Sequence, residues 1–111
     1  MKQSSLCPLV EKGIQVLSKR WTVLIVHQLL SGPQRFCTIE TAIPISGRLL
    51  SERLKDLEQE GIVHREVYPE TPVRIVYSLT DKGLALAPVI REMENWSREW
   101  VKIDPDEHET L

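Results

Sequence analysis

The sequence predicts an α+β fold that is mostly helical, and three observations carry that prediction. Apolar residues recur at helical spacing through most of residues 8–60 and again over 81–101. Between those blocks, Ile62–Tyr68 and Arg74–Leu79 are rich in β-branched and aromatic residues and flank Pro69-Glu70-Thr71-Pro72. One segment, Ile43–Gly61, is bounded as a helix at both ends and presents two different faces.

At 111 residues, 41% hydrophobic and 27% charged, the chain has the size and composition of one soluble globular domain with a modest core. No apolar run approaches the roughly 18 residues that span a bilayer. Met1–Ser5 begins no export signal, so the cytoplasm is the expected compartment. The net charge of −2 argues weakly against a nucleic-acid partner, but the charges are unevenly placed. Residues 1–80 hold ten Lys/Arg against eight Asp/Glu, and residues 81–111 hold four against eight. Local charge is what meets phosphate, and an acidic end can mask a cationic face elsewhere. Cys7 and Cys37 are too few for a disulfide scaffold or a C-x-x-C metal site and are expected as free thiols. His27, His64 and His108 have no ligand spacing, so neither a metal nor a cofactor is expected.

Taken in order, Cys7-Pro8 opens a first helix, because proline costs nothing in a first turn. Leu9, Ile14, Val16 and Leu17 form its apolar side. Ser18–Trp21 is predicted to start a second helix that ends before Gly32-Pro33. Trp21, Leu24, Ile25 and Leu29 recur along it, and Val23 and Val26 add apolar surface, which predicts burial on several sides. His27 within it is read as a hydrogen-bonded core or boundary histidine rather than a catalytic one. Arg35–Ala42 is predicted as a short helix with Phe36, Ile39 and Ile43 inward.

The next helix starts at Ser46, a good N-cap, and stops at Gly61, which suits the left-handed conformation of a helix end. Leu50, Leu54 and Leu57 share one stripe. At about 100° per residue, Arg48, Ser51, Glu52 and Lys55 fall opposite. Alone, this pattern also fits any amphipathic helix with a solvated outer face. A short helix, a turn and a longer helix, however, are the arrangement that props one helix into a DNA groove. A lone hairpin is marginal in water, so the predicted strand pair must lie against the helices. Three helices followed by such a hairpin make a winged helix-turn-helix with a two-stranded β-wing.

Thr80-Asp81 caps a last helix running to about Val101, which Pro88 should kink or break. Val89, Met93, Trp96 and Trp100 lie on one stripe of it. That is more apolar surface than a small domain needs, and it favours a subunit interface over burial within the monomer. Residues 102–111 read as an acidic tail.

Over roughly residues 7–100 the chain resembles the HxlR family of bacterial, MarR-like winged-helix transcription regulators. The carrying pieces are Cys7-Pro8, Lys19/Arg20-Trp21 and Gly32-Pro33-Gln34-Arg35-Phe36. With them go the L-x-x-R-L-x-x-L-E-x-x-G pattern from Leu50 to Gly61, the wing from Val67 to Tyr77, and Ser78-Leu79-Thr80-Asp81-Lys82-Gly83. Ser18-Lys19-Arg20 departs from a more usual Gly-Gly-Lys, and Cys37-Thr38-Ile39 from a polar residue, Glu and Leu. The resemblance implies a single domain: helix-turn-helix at 35–60, wing at 62–79, and flanking dimerisation helices at 7–17 and 81–101. It implies a homodimer on a pseudo-palindromic operator, repressing or activating a neighbouring operon, and in several members control by an oxidant or electrophile through the N-terminal cysteine.

For base edges the residues nominate Arg48, whose planar fork matches guanine O6 and N7, followed along the same face by Ser51 and Lys55. Glu52 can accept from cytosine or neutralise Arg48 or Lys55. Ser46 and Gly47 place backbone N–H groups where a phosphate is welcome. Thr38 can reach phosphate from the supporting helix, and Arg74 from the wing. Arg65 and Arg35 are weaker candidates, and Arg53 projects sideways toward an ion pair with nearby glutamates. Cys7 reads either as a small packed residue or as a thiol sensor whose thiolate a helix N-terminus favours, helped by Lys2 or Lys12, with Cys37 as a resolving partner. No catalytic triad, phosphate loop or carboxylate pair supports an enzyme. The remaining alternatives are a winged-helix protein-interaction module without DNA binding and a ligand-controlled regulator without a thiol switch. The first conflicts with the cationic face of residues 46–55, where a docking helix would carry apolar anchors.

Overall fold

The computed structural model describes residues 7–104; Lys2, His108 and the tail from residue 105 onward lie outside them. The chain runs α1 (Pro8–Leu17), α2 (Thr22–Leu29), β1 (Gln34–Arg35), α3 (Phe36–Ala42) and α4 (Gly47–Gln59). It continues through β2 (Val63–Tyr68), β3 (Arg74–Leu79), α5 (Asp81–Leu84) and α6 (Ala87–Trp100).

The core forms around α4. Leu50, Leu54 and Leu57 are buried and join Ile25, Val26 and Leu29 of α2, Ile39 of α3, and Ile62, Val63 and Tyr77. Both ends of α4 are closed by local chemistry. Ser46 Oγ accepts from the Leu49 N–H at 3.2 Å. At the other end Gly61 takes φ +73°, and the N–H groups of Ile62 and Gly61 return to the carbonyls of Leu57 and Glu58 at 2.9 and 3.0 Å. This is a Schellman closure, which needs a residue that tolerates the left-handed region.

The predicted hairpin is present, paired from Val63↔Leu79 to Tyr68↔Arg74. It is wider than predicted. Gln34 and Arg35, expected within or beside the α3 helix, form a short third strand opposite Tyr77 and Val76, giving the antiparallel order β1-β3-β2. The start of α3 is thereby sewn to the wing.

The second helix also differs from expectation. Ser18–Trp21 is a turn, and α2 starts at Thr22 because Trp21 sits at φ +79°. That conformation costs an aromatic residue roughly 1–2 kcal/mol. Neighbours hold it in place. The Arg20 guanidinium lies 4.9 Å over the indole, and the Arg20 carbonyl accepts from Arg53 Nε of α4 at 3.3 Å. Arg53 in turn pairs with Asp56 at 3.1 Å, and Lys19 approaches the same carboxylate at 3.8 Å. The sideways-projecting Arg53 thus finds an aspartate rather than a glutamate. His27 is exposed rather than in the core, 3.7 Å from Glu94 of α6, and Leu24 is exposed beside it.

Pro88 breaks the last helical segment as expected, leaving α5 as a single turn and Pro88 in the first turn of α6. Thr80 ties α5 to the end of α4. Its Oγ1 accepts from the Gly83 N–H at 3.2 Å, and its own N–H donates to the Ile62 carbonyl at 3.0 Å. Gly83 is buried so tightly that an added Cβ would overlap the Ile62 carbonyl oxygen.

Candidate nucleic-acid interface

The side of α4 opposite the leucine stripe faces outward. The Arg48 side chain is 91% exposed and meets only Glu52, four residues on, at 3.7 Å. Lys55 and Glu52 are exposed and Ser51 is half-buried, so the four residues predicted to share a face do share one. Ser46 and Gly47 lie at the N-terminus of this helix, as placed from the sequence. The Ser46 hydroxyl is committed to capping, and Gly47 is roofed by a carboxylate: a Cβ there would lie 2.5 Å from Glu40 Oε2 of α3.

α3 and the wing meet beside this helix. Thr38, Arg74, Gln34, Arg35, Tyr68 and Val76, with Pro33, line a crevice of about 420 Å³. The structure therefore brings together Thr38 of the supporting helix and Arg74 of the wing, and adds Arg35. Arg74 is engaged along one edge and one face. Its Nε and Nη2 donate to the two carboxylate oxygens of Glu70 at 3.3 and 3.2 Å, and its guanidinium stacks 4.1 Å over the Tyr68 ring. Sequence reasoning missed the carboxylates of Glu40 and Glu70 and the stacking of Tyr68. The four-residue spacing of Glu70 and Arg74 was a signal, but it is read as a pair on helices, not across a hairpin tip.

Cys7 is the N-cap residue of α1, exposed, with no side-chain hydrogen bond to the helix. Cys37 is exposed in the first turn of α3, beside Thr38 in a shallow depression shared with Thr41 and Ala42. Both are free thiols. On α6, Val89, Met93, Trp96 and Trp100 are all exposed, with Trp96 at 61% and Trp100 at 68%. Burial within the monomer does not account for them. Leu9, Val10 and Ile14 of α1 are likewise uncovered. Among the described residues, no three His, Cys, Asp or Glu side chains come together to hold a metal ion, and no helix is long and apolar enough to cross a membrane.

Residues 16–105 match the model of the HxlR-like helix-turn-helix family. The chain belongs to the HxlR family. It is therefore a helix-turn-helix transcriptional regulator, in a family of regulators rather than enzymes. Among its relatives are two regulators of Bacillus subtilis (strain 168). YvaP, an uncharacterised HTH-type transcriptional regulator, is 63% identical over 106 residues, covering 95% of this chain and 96% of its own. The HTH-type transcriptional regulator YodB is 50% identical over 95 residues, 85% of each chain. The reduced form of YodB superimposes with a TM-score of 0.78 at 49% identity, over 87% of this chain and 96% of that one. YodB has also been solved after diamide treatment and with quinone bound. The oxidised form of the redox regulator HypR superimposes with a TM-score of 0.80 at 35% identity, over 87% of this chain and all of that one (100%). The HxlR winged-helix architecture predicted from the sequence is thus the fold of the chain.

Proposed function

We propose that this HxlR protein is a homodimeric, sequence-specific DNA-binding regulator of the cytoplasm, made of one domain that grips a pseudo-palindromic operator. The observation that carries this reading is the orientation of α4, with its leucines buried and Arg48, Ser51 and Lys55 outward. An α-helix fits the major groove, and a planar arginine fork there pairs with guanine. In this reading residues 35–60 are the helix-turn-helix and residues 62–79 the wing. Thr38, Ser46, Gly47 and Arg74 meet the sugar-phosphate backbone, while Arg48, Ser51, Glu52 and Lys55 face base edges. Residues 7–17 and 81–101 pair two subunits, with Val89, Met93, Trp96 and Trp100 at the seam. Residues 102–111 are read, from composition alone, as an acidic tail.

The reading extends to control by an oxidant or electrophile. Cys7 is an exposed thiol at a helix start, and its relative YodB has been solved with quinone bound and after diamide treatment. Oxidation joins Cys7 of one subunit to Cys37 of the other: two thiols give two protons and two electrons to the oxidant as one S–S bond forms, and the two reading helices are re-angled. Selection of bound sequences from random duplex DNA, with and without reductant, tests the whole reading. A two-fold symmetric motif whose recovery depends on reductant is expected; no enriched motif in either condition refutes it. On non-reducing electrophoresis after mild oxidant, a monomer band throughout would rule out the intersubunit bridge.

A further inference from the structure

The outward face of this molecule carries its own acids. Glu40 roofs the start of α4 at Gly47, Glu52 stands 3.7 Å from Arg48, and Glu70 holds both edge nitrogens of Arg74. The three are not equal. Arg48 keeps a single long contact and is almost wholly in solvent, so little is given up when it docks. Arg74 is different. It is two-thirds buried, stacked on Tyr68, and its Nε–Nη2 edge is filled by the two oxygens of one carboxylate. That edge is the one a phosphate takes in a two-pronged arginine contact. Thr38 and Arg35 line the crevice beside it.

We infer that Glu70 is a built-in stand-in for a DNA phosphate: it occupies the Arg74 fork in the free protein, and a backbone phosphate must displace it when the wing docks. This rests on the reading that the α4 and wing face meets DNA. The wing contact is then an exchange of one anion for another rather than a new ion pair. The displaced carboxylate remains near the phosphate and opposes it, so backbone affinity stays low while Arg48 reads bases unencumbered. Tyr68 keeps the guanidinium in place during the exchange, because the ring holds its flat face while the edge changes partner.

Fluorescence anisotropy with a labelled random-sequence duplex, repeated over a series of salt concentrations, tests the inference on the full chain. The variants are Glu70→Gln, Arg74→Ala and the double substitution. Glu70→Gln is expected to bind roughly three- to fivefold more tightly than wild type. It should also steepen the dependence of log K on log salt by up to about 0.9. In the Arg74→Ala background the same change should lose most of that gain. Glu70→Ala, with a circular dichroism spectrum matching wild type, serves as the second variant and should shift affinity the same way. Equal gains with and without Arg74 would make Glu70 a bulk charge and overturn the inference. So would unchanged or weaker binding by both Glu70 variants while wild type binds. Wild type that binds no duplex at any salt would instead defeat the underlying reading of the face.

Discussion

At the scale of single residues, exposure separates the side chains proposed to read DNA from those that hold the fold. Arg48 is solvated and has one distant partner, so its loss should leave the fold untouched. Arg48→Ala is expected to weaken binding to a selected operator by about 1–3 kcal/mol in a gel shift, with an unchanged melting temperature. Unaltered affinity would remove Arg48 from the face. Gly83 is the opposite case. Its missing side chain lets α5 rest directly on the Ile62 carbonyl, and a backbone atom cannot step aside as a flexible side-chain tip can. Gly83→Ala should lower unfolding stability by about 1–3 kcal/mol in urea titration, a typical cost of forced overpacking. An unshifted midpoint would mean that α5 lifts away freely.

At the scale of elements, α4 is the best specified, because everything that defines it lies within its own sequence. The cap, the leucine stripe and the Gly61 closure are all local. Ser46→Ala removes the acceptor for the Leu49 N–H and should cost about 1 kcal/mol of stability, read as a shifted urea midpoint. The Pro88 break was legible for the same reason: a proline acts on its own turn. What was illegible depends on distant partners. The strand at Gln34–Arg35 exists only because Val76 and Tyr77, some forty residues later, offer a free edge. Two residues cannot announce a strand by alternation. The left-handed Trp21 escaped because it is held from α4, through Arg53 and the Arg20 carbonyl. The outward face itself was readable from spacing. The Glu70 clasp was not, because Glu70 and Arg74 become neighbours only once the hairpin closes.

At the scale of the whole molecule, the first and last helices both carry uncovered apolar side chains. Trp96, Trp100, Met93 and Val89 on α6, and Leu9, Val10 and Ile14 on α1, are exposed large apolar residues of the kind that mark a protein–protein contact. Tryptophans at the centre of an interface are commonly worth about 2 kcal/mol or more when truncated. The double substitution Trp96→Ala with Trp100→Ala should therefore move the protein from dimer to monomer in sedimentation velocity and abolish tight operator binding. A wild type that sediments as a monomer at every concentration would contradict the proposed assembly. The short β1 strand bears on how such an assembly can respond. Gln34 and Arg35 are laced to Tyr77 and Val76, so the prop beneath α4 and the hairpin beyond it share one seam. In the proposed pair, a torque reaching this head through α1 or α6 would carry the prop and the hairpin together across that seam, and the pitch between the two heads would change.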